Sequence, residues 1–403
     1  MNFIVQASSR SWAGDKEHCM YLLDGYPAIY WTIKRIYENF NSSKIIIIAP
    51  EYDRNGELNN LKDFFNDLEI FYGFNESPLR RIIEVTNSFD DEEFFVRING
   101  LNFLFEINYL KNMVILAKEK LLDCIKLNDD FPVHYTCEVY KISALRKLHN
   151  LIQNNQIKNY QIHEIHPKFI LMQLEIFKTE YYLPSYEIDS INNQLYREKM
   201  KQIMFEERQN VENINQMKLG DQLNYHYELA KEFLVSKNIR HGKILDIACG
   251  TAKGLQFFLD TELELYGADY DLLLINNNKK QFTETSIIFM KEDIMKTSFK
   301  NNMFDIILSM ETLEHVNPNK MLFELQRIIK NNGYLILSTP QNSYDGECIN
   351  PEHLYEYSLK EVINLVSKYF TIEKIVGLKA GRIYFENDLI GANTMIFAKK
   401  NIV

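Results

Sequence analysis

The chain has few cysteines and no long run of apolar or of basic residues. Its 403 residues include five cysteines, and no two of them have the Cys-x-x-Cys spacing of a zinc knuckle or a redox centre. No stretch approaches the roughly 18 apolar residues that a membrane span needs, and the N-terminus lacks the basic and apolar regions of a signal peptide. We therefore expect a cytoplasmic protein with no disulfide framework and no membrane span.

Positive charge is also scarce. The formal net charge is -10, and lysines and arginines occur singly or in pairs. Binding to a nucleic-acid backbone needs a stripe of basic residues, so the composition argues against nucleic acid as a partner. Hydrophobic residues make up 46% and charged residues 25% of the chain, as in ordinary globular proteins. Nothing in the composition indicates an oligomeric state.

Both halves of the chain alternate strand-like with helix-like segments. In the first half, apolar runs such as KIIIIAP alternate with amphipathic ones such as SPLRRIIEVTNSF, in which Ser77 is the expected N-cap and Pro78 the first helical residue. Such alternation predicts a parallel sheet with right-handed crossovers. From Lys243 the alternation restarts and gives seven strand candidates. The predicted fold class is α/β, with two doubly wound domains.

A polar, helix-prone stretch lies between the two halves. Residues 186–235 are poor in β-branched residues and contain no strand-like run. The sequence therefore predicts a first domain at 1–185, a helical connector at 186–235 and a second domain at 236–403.

Three segments of the first half resemble sugar-activating cytidylyltransferases of the spore-coat polysaccharide type. They are the opening strand and loop that lead to the turn GYP (25–27), the segment VRINGLNFLFE (96–106) and the segment FPVHYTCEVY (131–140). The resemblance covers about residues 1–170. It implies a nucleotide-diphospho-sugar-transferase-like domain, for which binding of a sugar, a nucleotide or a partner and a purely structural role are the open alternatives.

The first half departs from that family at the positions that bind metal and phosphate. Leu101 and Thr136 stand where aspartates are expected, Tyr26 replaces a lysine, and the basic residues of the loop do not fall cleanly on Arg10 or Lys16. Without those carboxylates, Mg²⁺ has no anchor beside a triphosphate. We therefore expect this domain to be inactive as a nucleotidyltransferase.

Small residues and acids follow the first three strand candidates of the second half. In ILDIACGTAKG (244–254) the strand is followed by a turn of small residues, where a backbone can approach a ligand closely. Asp246, Asp269 and Asp293 lie at successive strand ends, where open α/β sheets bind ligands. A turn that serves only packing is the plain alternative. The spacing is not Gly-x-Gly-x-x-Gly, so a dinucleotide site and a nicotinamide oxidoreductase are weaker interpretations.

Residues of about 222–403 resemble class I S-adenosylmethionine-dependent methyltransferases. LDIACGTAKG matches the first motif of that family, with Ala248 and Ala252 in place of two of its glycines. The resemblance implies S-adenosyl-L-methionine as the cofactor, with Asp269 on the ribose and Asp293 facing the adenine. It also implies that the last strand candidate, NTMIFAKK, is an antiparallel edge strand. The cofactor-binding residues predicted in this way are Asp246, Ala248, Gly250, Thr251, Asp269, Tyr270, Asp293 and Ile294.

The stretch SMETLEHV, residues 309–316, brings two carboxylates and an imidazole together after the fourth strand of this half. Glu311, Glu314 and His315 are spaced i, i+3 and i+4, which would put them on one face of a helical turn. A solvated face, or Glu314 serving a helix N-terminus, is the plain alternative. His353 follows the fifth strand, and these four residues are a candidate divalent-metal site.

The same residues resemble two groups of metal-dependent O-methyltransferases. METLEHV is similar to the ubiquinone-biosynthesis type, and the combination with HLYEYS (353–358) is similar to the small-RNA 3′-terminal 2′-O-methyltransferase type. The resemblance implies that a cation, Mg or Mn, binds Glu311, Glu314, His315 and His353 and activates a hydroxyl group. Glu314, His315 and His353 are the predicted catalytic residues, either histidine serving as general base if it is not a ligand.

These observations predict an S-adenosylmethionine-dependent O-methyltransferase. The first domain favours a carbohydrate or nucleotide-sugar acceptor in surface-polysaccharide biosynthesis. RNA 3′-terminal 2′-O-methylation and methylation of a small quinone precursor are the alternative reactions. A ligand-binding protein without turnover is the alternative of another class.

Overall fold

The computed structural model describes most of the chain. The described residues are 1–7, 18–41, 43–131, 135–157, 160–183, 198–199, 220–342, 348, 353–381 and 383–400. Arg10, Lys16 and most of the predicted connector lie outside them.

The chain forms two compact units. Unit 1 comprises residues 1–128 and 132–207, and unit 2 comprises residues 129–131 and 208–403. The predicted connector is therefore divided between the units, and its last part is a helix of unit 2. No helix among the described residues has both the length and the apolar sequence that crossing a membrane requires.

Unit 1 is built on a seven-stranded sheet with the strand order β5-β4-β1-β6-β8-β7-β9 and a small separate hairpin, β2-β3. β8 is antiparallel to both of its neighbours, whereas the other neighbouring strands are parallel. The prediction of an entirely parallel sheet is thus wrong for this unit, because short β7, β8 and β9 were not recognised. The strands are β1 Asn2–Gln6, β2 Leu22–Leu23, β3 Tyr26–Pro27, β4 Lys44–Pro50, β5 Glu69–Gly73, β6 Phe94–Asn99, β7 Cys124–Leu127, β8 Glu138–Lys141 and β9 Thr179–Tyr182.

Six α-helices among the described residues belong to unit 1. Ser77 caps the second of them, where its hydroxyl accepts a hydrogen bond from the Arg80 amide at 3.1 Å and Pro78 is the first helical residue. That cap was predicted and is confirmed. The helices are α1 Ala28–Asn39, α2 Pro78–Val85, α3 Ile107–Lys120, α4 Ile142–Gln153, α5 Tyr160–Ile165 and α6 Pro167–Gln173.

Unit 2 contains a second seven-stranded sheet, with the order β12-β11-β10-β13-β14-β16-β15. All seven strand candidates of the second half are strands in the structure. The strands are β10 His241–Ile247, β11 Glu262–Asp269, β12 Ile288–Lys291, β13 Phe304–Met310, β14 Ile329–Pro340, β15 Phe370–Leu378 and β16 Asn393–Lys400.

The position of β16 differs from the prediction. It is antiparallel, as expected, but it lies between β14 and β15 rather than at the edge. Strands pair with it on both sides, and its central residues are buried in the core. β15 is therefore the edge strand, and the prediction of an edge position for NTMIFAKK is wrong.

Helices and apolar side chains cover both faces of the sheet of unit 2. Neighbouring residues of β13 alternate between two core clusters, since Ile306 belongs to one and Ile307 to the other. This alternation follows from the two-residue period of a strand. The parallel strands β10, β11, β12, β13 and β14 end at one edge of the sheet, which is where the site lies. The helices are α7 Gly220–Ser236, α8 Leu272–Gln281, α9 Pro318–Ile328 and α10 Leu359–Val366.

Candidate functional site

The turn after β10 has a backbone conformation that side chains disfavour. Ala248, Gly250 and Ala252 have φ angles of +61°, +52° and +56°. An alanine in this left-handed region costs roughly 1–2 kcal/mol, and such strain persists where the surrounding structure imposes it. A Cβ atom at Gly250 would meet no atom within 4 Å. The turn therefore presents its backbone to open space, and Thr251, which is half-buried, continues it.

Asp269 links this turn to the next strand. One of its carboxylate oxygens accepts a hydrogen bond from the Gly250 amide at 2.8 Å, and the other accepts one from the Asp271 amide at 2.9 Å. Each carboxylate oxygen has two acceptor positions, so the partly exposed group can accept further hydrogen bonds from a pair of vicinal hydroxyls. Tyr270 follows it with an exposed ring, and the Lys291 ammonium lies 5.6 Å from the centre of that ring.

Asp246 is fully buried at the end of β10, and Tyr227 of α7 covers it. The Tyr227 hydroxyl lies 3.1 and 3.3 Å from the two carboxylate oxygens and donates a hydrogen bond to them. Burial raises the pKa of Asp246 to about 7, against the opposing effect of the hydrogen bond from Tyr227. A Cβ atom at Gly254 would lie 2.1 Å from Cζ of Tyr227. Gly254 is thus required for Tyr227 to reach Asp246.

Sequence reasoning missed Tyr227. The segment YHYELAKEFL, which precedes β10, has a helical pattern of apolar residues that could have indicated it. Tyr227, Ala230 and Leu234 are spaced i, i+3 and i+7 and are all buried in the core, as an amphipathic helix requires. That period indicated a helix against the sheet but not which side chain would point at Asp246.

Asp293 and Ile294 follow β12 in a tight turn. The Asp293 carboxylate accepts a hydrogen bond from the Met295 amide at 2.9 Å, and Ile294 is buried. The Glu292 amide, at the same turn, donates to the Asp269 carbonyl at 3.0 Å. The turns after β11 and β12 are therefore held together at the carboxyl edge of the sheet.

Glu314, His315 and His353 come together at the end of β13. One potential ligand atom from each of them lies within 4.8 Å of the others, and the Glu314 carboxylate is 3.9 Å from Nε2 of His315. The His353 Nδ1 atom is 2.6 Å from a carboxylate oxygen of Glu356. A carboxylate on the second ring nitrogen is typical of metal-binding histidines, because it fixes the tautomer and the ring orientation.

Glu314 is only 1% exposed, so water does not solvate its carboxylate form. The Thr339 hydroxyl donates a hydrogen bond to it at 2.9 Å. Burial, and then the negative charge of Glu311, raise the pKa of Glu314 well above its ordinary value. A cation at the three-residue group would reverse this effect, because an adjacent positive charge favours the carboxylate form.

Glu311 does not belong to the three-residue group. Its φ of +49° takes it out of any helical turn, so the expectation that Glu311, Glu314 and His315 share a helical face is wrong. Only residues Leu313–His315 form a short 3₁₀ turn. The structure therefore brings together three of the four predicted metal ligands.

Glu311 instead faces polar groups from other elements. The Asn393 side-chain amide donates to it at 2.8 Å, and Nδ1 of His226 lies 3.8 Å from its other oxygen. Burial lowers the pKa of His226 to about 4 and raises that of Glu311 to about 7. The contact thus joins a neutral imidazole to a carboxyl group and is no ion pair at neutral pH. His226 is a second residue of α7 that sequence reasoning missed.

In unit 1, the residues that depart from the cytidylyltransferase motifs contact neighbouring residues. The Leu101 amide donates to the Asn99 side chain at 3.0 Å, and the Asn102 side chain donates to the Thr136 carbonyl at 2.8 Å. Tyr26 lies in the hairpin strand β3 and stacks on Tyr30, with ring centres 4.4 Å apart. These contacts hold the loops in place without the two aspartates.

Part of unit 2 matches a known family. Residues 245–337 match the family model described as a methyltransferase domain. That segment starts in β10 and ends in β14, and it includes the Ala248–Ala252 turn, Asp269, Asp293 and the 3₁₀ turn. Residues 245–337 are therefore similar to a methyltransferase domain.

Two relatives match parts of the chain. An uncharacterized protein of Methanocaldococcus jannaschii is 35% identical over 111 residues, which are 28% of this chain and 42% of that protein. A demethylmenaquinone methyltransferase of Renibacterium salmoninarum is 29% identical over 97 residues, which are 24% of this chain and 40% of that protein. The chain spans less than half the length of either relative.

Solved structures resemble less than half of the chain. A methyltransferase dependent on S-adenosylmethionine from Methanosarcina mazei is 18% identical, with a TM-score of 0.36, and the match covers 42% of this chain and 98% of that one. A second, from Aquifex aeolicus, is 19% identical, with a TM-score of 0.36, and the match covers 45% of this chain and 93% of that one.

Proposed function

We propose that this chain is an S-adenosylmethionine-dependent O-methyltransferase that acts on a hydroxyl group of a carbohydrate or nucleotide sugar in surface-glycan biosynthesis. A divalent cation, Mg or Mn, would assist the reaction. The observation that carries the proposal is the group formed by Glu314, His315 and His353. It lies at the end of β13, the strand that pairs with β10, so it adjoins the turn expected to hold the methyl donor.

The residues at the carboxyl edge fit the methyl donor. Open space beside Gly250 and the remaining acceptor positions of Asp269 suit a nucleoside whose ribose hydroxyls donate hydrogen bonds. When bound, S-adenosylmethionine supplies a methyl group activated by a sulfonium. Asp269 would orient the ribose, Asp293 and Ile294 would adjoin the adenine, and Tyr227 would keep Asp246 in place behind the turn.

The three-residue group fits a divalent cation and an acceptor. Carboxylate oxygen and imidazole nitrogen are suitable ligands for Mg or Mn, and a bound cation lowers the pKa of a coordinated hydroxyl and fixes its direction. Three protein ligands leave coordination positions for two vicinal hydroxyls of the acceptor. If no cation is bound, His315 or His353 would accept the hydroxyl proton as general base.

The carbohydrate acceptor is proposed from the first half of the chain. The segments VRINGLNFLFE and FPVHYTCEVY resemble sugar-activating cytidylyltransferases, and the seven-stranded α/β sheet of unit 1 is compatible with such a domain. A sugar-binding unit in the same chain would be consistent with a sugar or sugar-nucleotide acceptor. The net charge of -10 argues against RNA as the acceptor.

A small quinone precursor is the second candidate acceptor. One relative is named a demethylmenaquinone methyltransferase, and METLEHV resembles the ubiquinone-biosynthesis type. This candidate gives unit 1 no role, so we place it second.

The test is transfer of a labelled methyl group from S-adenosylmethionine. Nucleotide sugars, glycans, catechols and RNA serve as acceptors, with Mg²⁺ or Mn²⁺ and with a chelator. We expect incorporation into nucleotide sugars or glycans, stimulation by the cation, and loss of that stimulation in His315→Ala. The control is His241→Ala, because His241 is exposed and pairs with Glu262 away from the group.

Three outcomes would contradict parts of the proposal. Transfer to catechols alone would favour the second candidate. Equal activity with cation and with chelator would remove the metal. Binding of the donor without transfer to any acceptor would favour a protein that binds ligands without turnover.

A further inference from the structure

Unit 1 has a crevice of about 660 Å³ beside its edge strand. Glu51 follows the last residue of β4, and Gly73 is the last residue of β5, so the crevice lies at the carboxyl ends of two neighbouring parallel strands. Ligands of open α/β sheets bind at such strand ends, and the volume falls in the range of about 300–1,000 Å³ that small-molecule sites occupy. The lining residues are Glu51, Tyr72, Gly73, Phe74, Asn75, Glu76 and Glu84.

Two aromatic rings in the lining are held by neighbouring side chains. Phe74 is 45% exposed, and the guanidinium group of Arg80 lies 4.4 Å from the centre of its ring. The Tyr72 hydroxyl donates a hydrogen bond to the Asn59 side chain at 3.1 Å. A fixed and partly exposed ring in a polar crevice suits a ligand that has an apolar C–H face as well as polar groups.

The charged groups of the crevice disfavour an anionic ligand. Arg54 pairs with Glu51 at the rim, and Arg80 covers Phe74. Arg81 is 4% exposed and donates to the carbonyls of Phe74 and Asn75 at 2.6 and 3.0 Å. These three guanidinium groups already contact residues of the crevice. An anionic ligand would therefore face the carboxylates of Glu76 and Glu84.

The acceptor groups that line the crevice suit hydroxyl donors. Glu76 and Glu84 are exposed carboxylates, and each can accept hydrogen bonds from two adjacent hydroxyls. Asn75 adds an amide that both donates and accepts. Gly73 allows the Glu84 side chain to pack closely against the backbone, because a Cβ atom at residue 73 would lie 2.5 Å from a carboxylate oxygen of Glu84.

We propose that this crevice is a binding site for a neutral carbohydrate, with a sugar ring against Phe74 and hydroxyl groups on Glu76, Glu84 and Asn75. The combination of an aromatic ring, carboxylates and an amide in one crevice carries the inference. The site is complete within unit 1 and does not depend on methyl transfer.

The experiment is ligand-observed saturation-transfer NMR on the full chain. The probes are D-glucose, D-mannose, D-galactose, L-rhamnose and N-acetyl-D-glucosamine, each at millimolar concentration, with spermidine as a cationic probe. We expect saturation of at least one sugar. Phe74→Ala should weaken its binding about tenfold, since an aromatic contact of this kind is worth about 1.4 kcal/mol. Glu76→Gln, at an exposed side chain, should also weaken it.

Two controls separate this site from others in the chain. Phe64→Ala removes an aromatic ring of matched exposure, 43%, outside the lining, and should leave sugar binding unchanged. Asp269→Ala removes the proposed donor contact in unit 2 and should also leave it unchanged. Saturation of no sugar, saturation of spermidine alone, equal binding by Phe74→Ala and the parent chain, or loss of binding in Asp269→Ala would each overturn the inference.

Discussion

At the scale of single residues, the site of unit 2 is a set of acids that are buried more deeply than their charge favours. Asp246 is fully buried, Glu314 is nearly so, and burial raises the pKa of both. Desolvation disfavours a carboxylate unless hydrogen bonds or a cation compensate for it. The Tyr227 hydroxyl compensates in part at Asp246. At Glu314 the proposed cation would do so.

Asp246 should make stability depend on pH. Its pKa of about 7 in the folded chain lies above its ordinary 3.8, so the folded state binds the proton more tightly. The stabilisation is complete below the ordinary pKa and is lost as the pH rises through about 7. Asp246→Asn should flatten this dependence, by up to about 1.4 kcal/mol per pH unit between the two values.

The measurement is denaturant unfolding of the parent chain and of Asp246→Asn across that pH interval. Glu284→Gln is the control, because Glu284 is exposed on the same unit. Parallel curves for the parent chain and Asp246→Asn would show that this carboxyl group titrates alike in the folded and unfolded states, against our account.

At the scale of elements, the site depends on the contact between α7 and the turn after β10. Tyr227 occupies the space that a side chain at residue 254 would need, and its hydroxyl is the donor to Asp246. Gly254 is therefore required for packing, whereas Gly250 adopts its positive φ without the strain that an alanine would have, and it faces open space. Glycine therefore occupies positions 250 and 254 for two different physical reasons.

This difference can be measured by two alanine substitutions. Gly254→Ala should displace Tyr227 and lower the free energy of unfolding by about 3 kcal/mol, from overpacking and from the hydrogen bond lost at a buried acid. Gly250→Ala should cost only about 1 kcal/mol, from backbone strain. Chemical denaturation of both variants gives the comparison. A larger loss for Gly250→Ala would contradict the assignment.

The elements of unit 2 were largely predictable, because each strand carries its own local signal. Seven apolar runs predicted seven strands, and the cap at Ser77 in unit 1 was equally local. The position of β16 was not predictable, since strand order is set by pairing between residues far apart, such as Leu335 with Ala398. β8 was missed because its four residues are too short to show a period.

The sequence predicted the candidate site residues that lie at strand ends. It did not predict those whose position depends on contacts with distant helices and strands. Asp246, Asp269 and Asp293 lie where the strand pattern put them. Glu311 does not, because its spacing to Glu314 suggested a helix while Ser338 and Asn393 hold it in a left-handed conformation. Tyr227 lies 19 residues before its partner Asp246, and the sequence alone did not pair them.

At the scale of the whole molecule, the chain combines two α/β units, each built on a seven-stranded sheet with a candidate site at its carboxyl edge. Unit 2 contains the segment that is similar to a methyltransferase domain and the groups proposed to bind a methyl donor and a cation. Unit 1 contains the crevice proposed to bind carbohydrate. Both sites follow the same rule of open α/β sheets, and each can be tested by itself.

The central claim is that the turn after β10 and Asp269 bind S-adenosylmethionine, and calorimetric titration with S-adenosylhomocysteine tests it most directly. We predict saturable binding that Asp269→Ala weakens at least about a hundredfold, because two charge-assisted hydrogen bonds of about 1.5 kcal/mol each are lost. Asp260→Ala, at an exposed acid paired with Lys231, should bind as the parent chain does. Absence of binding to the parent chain, or unchanged affinity in Asp269→Ala, would contradict the account.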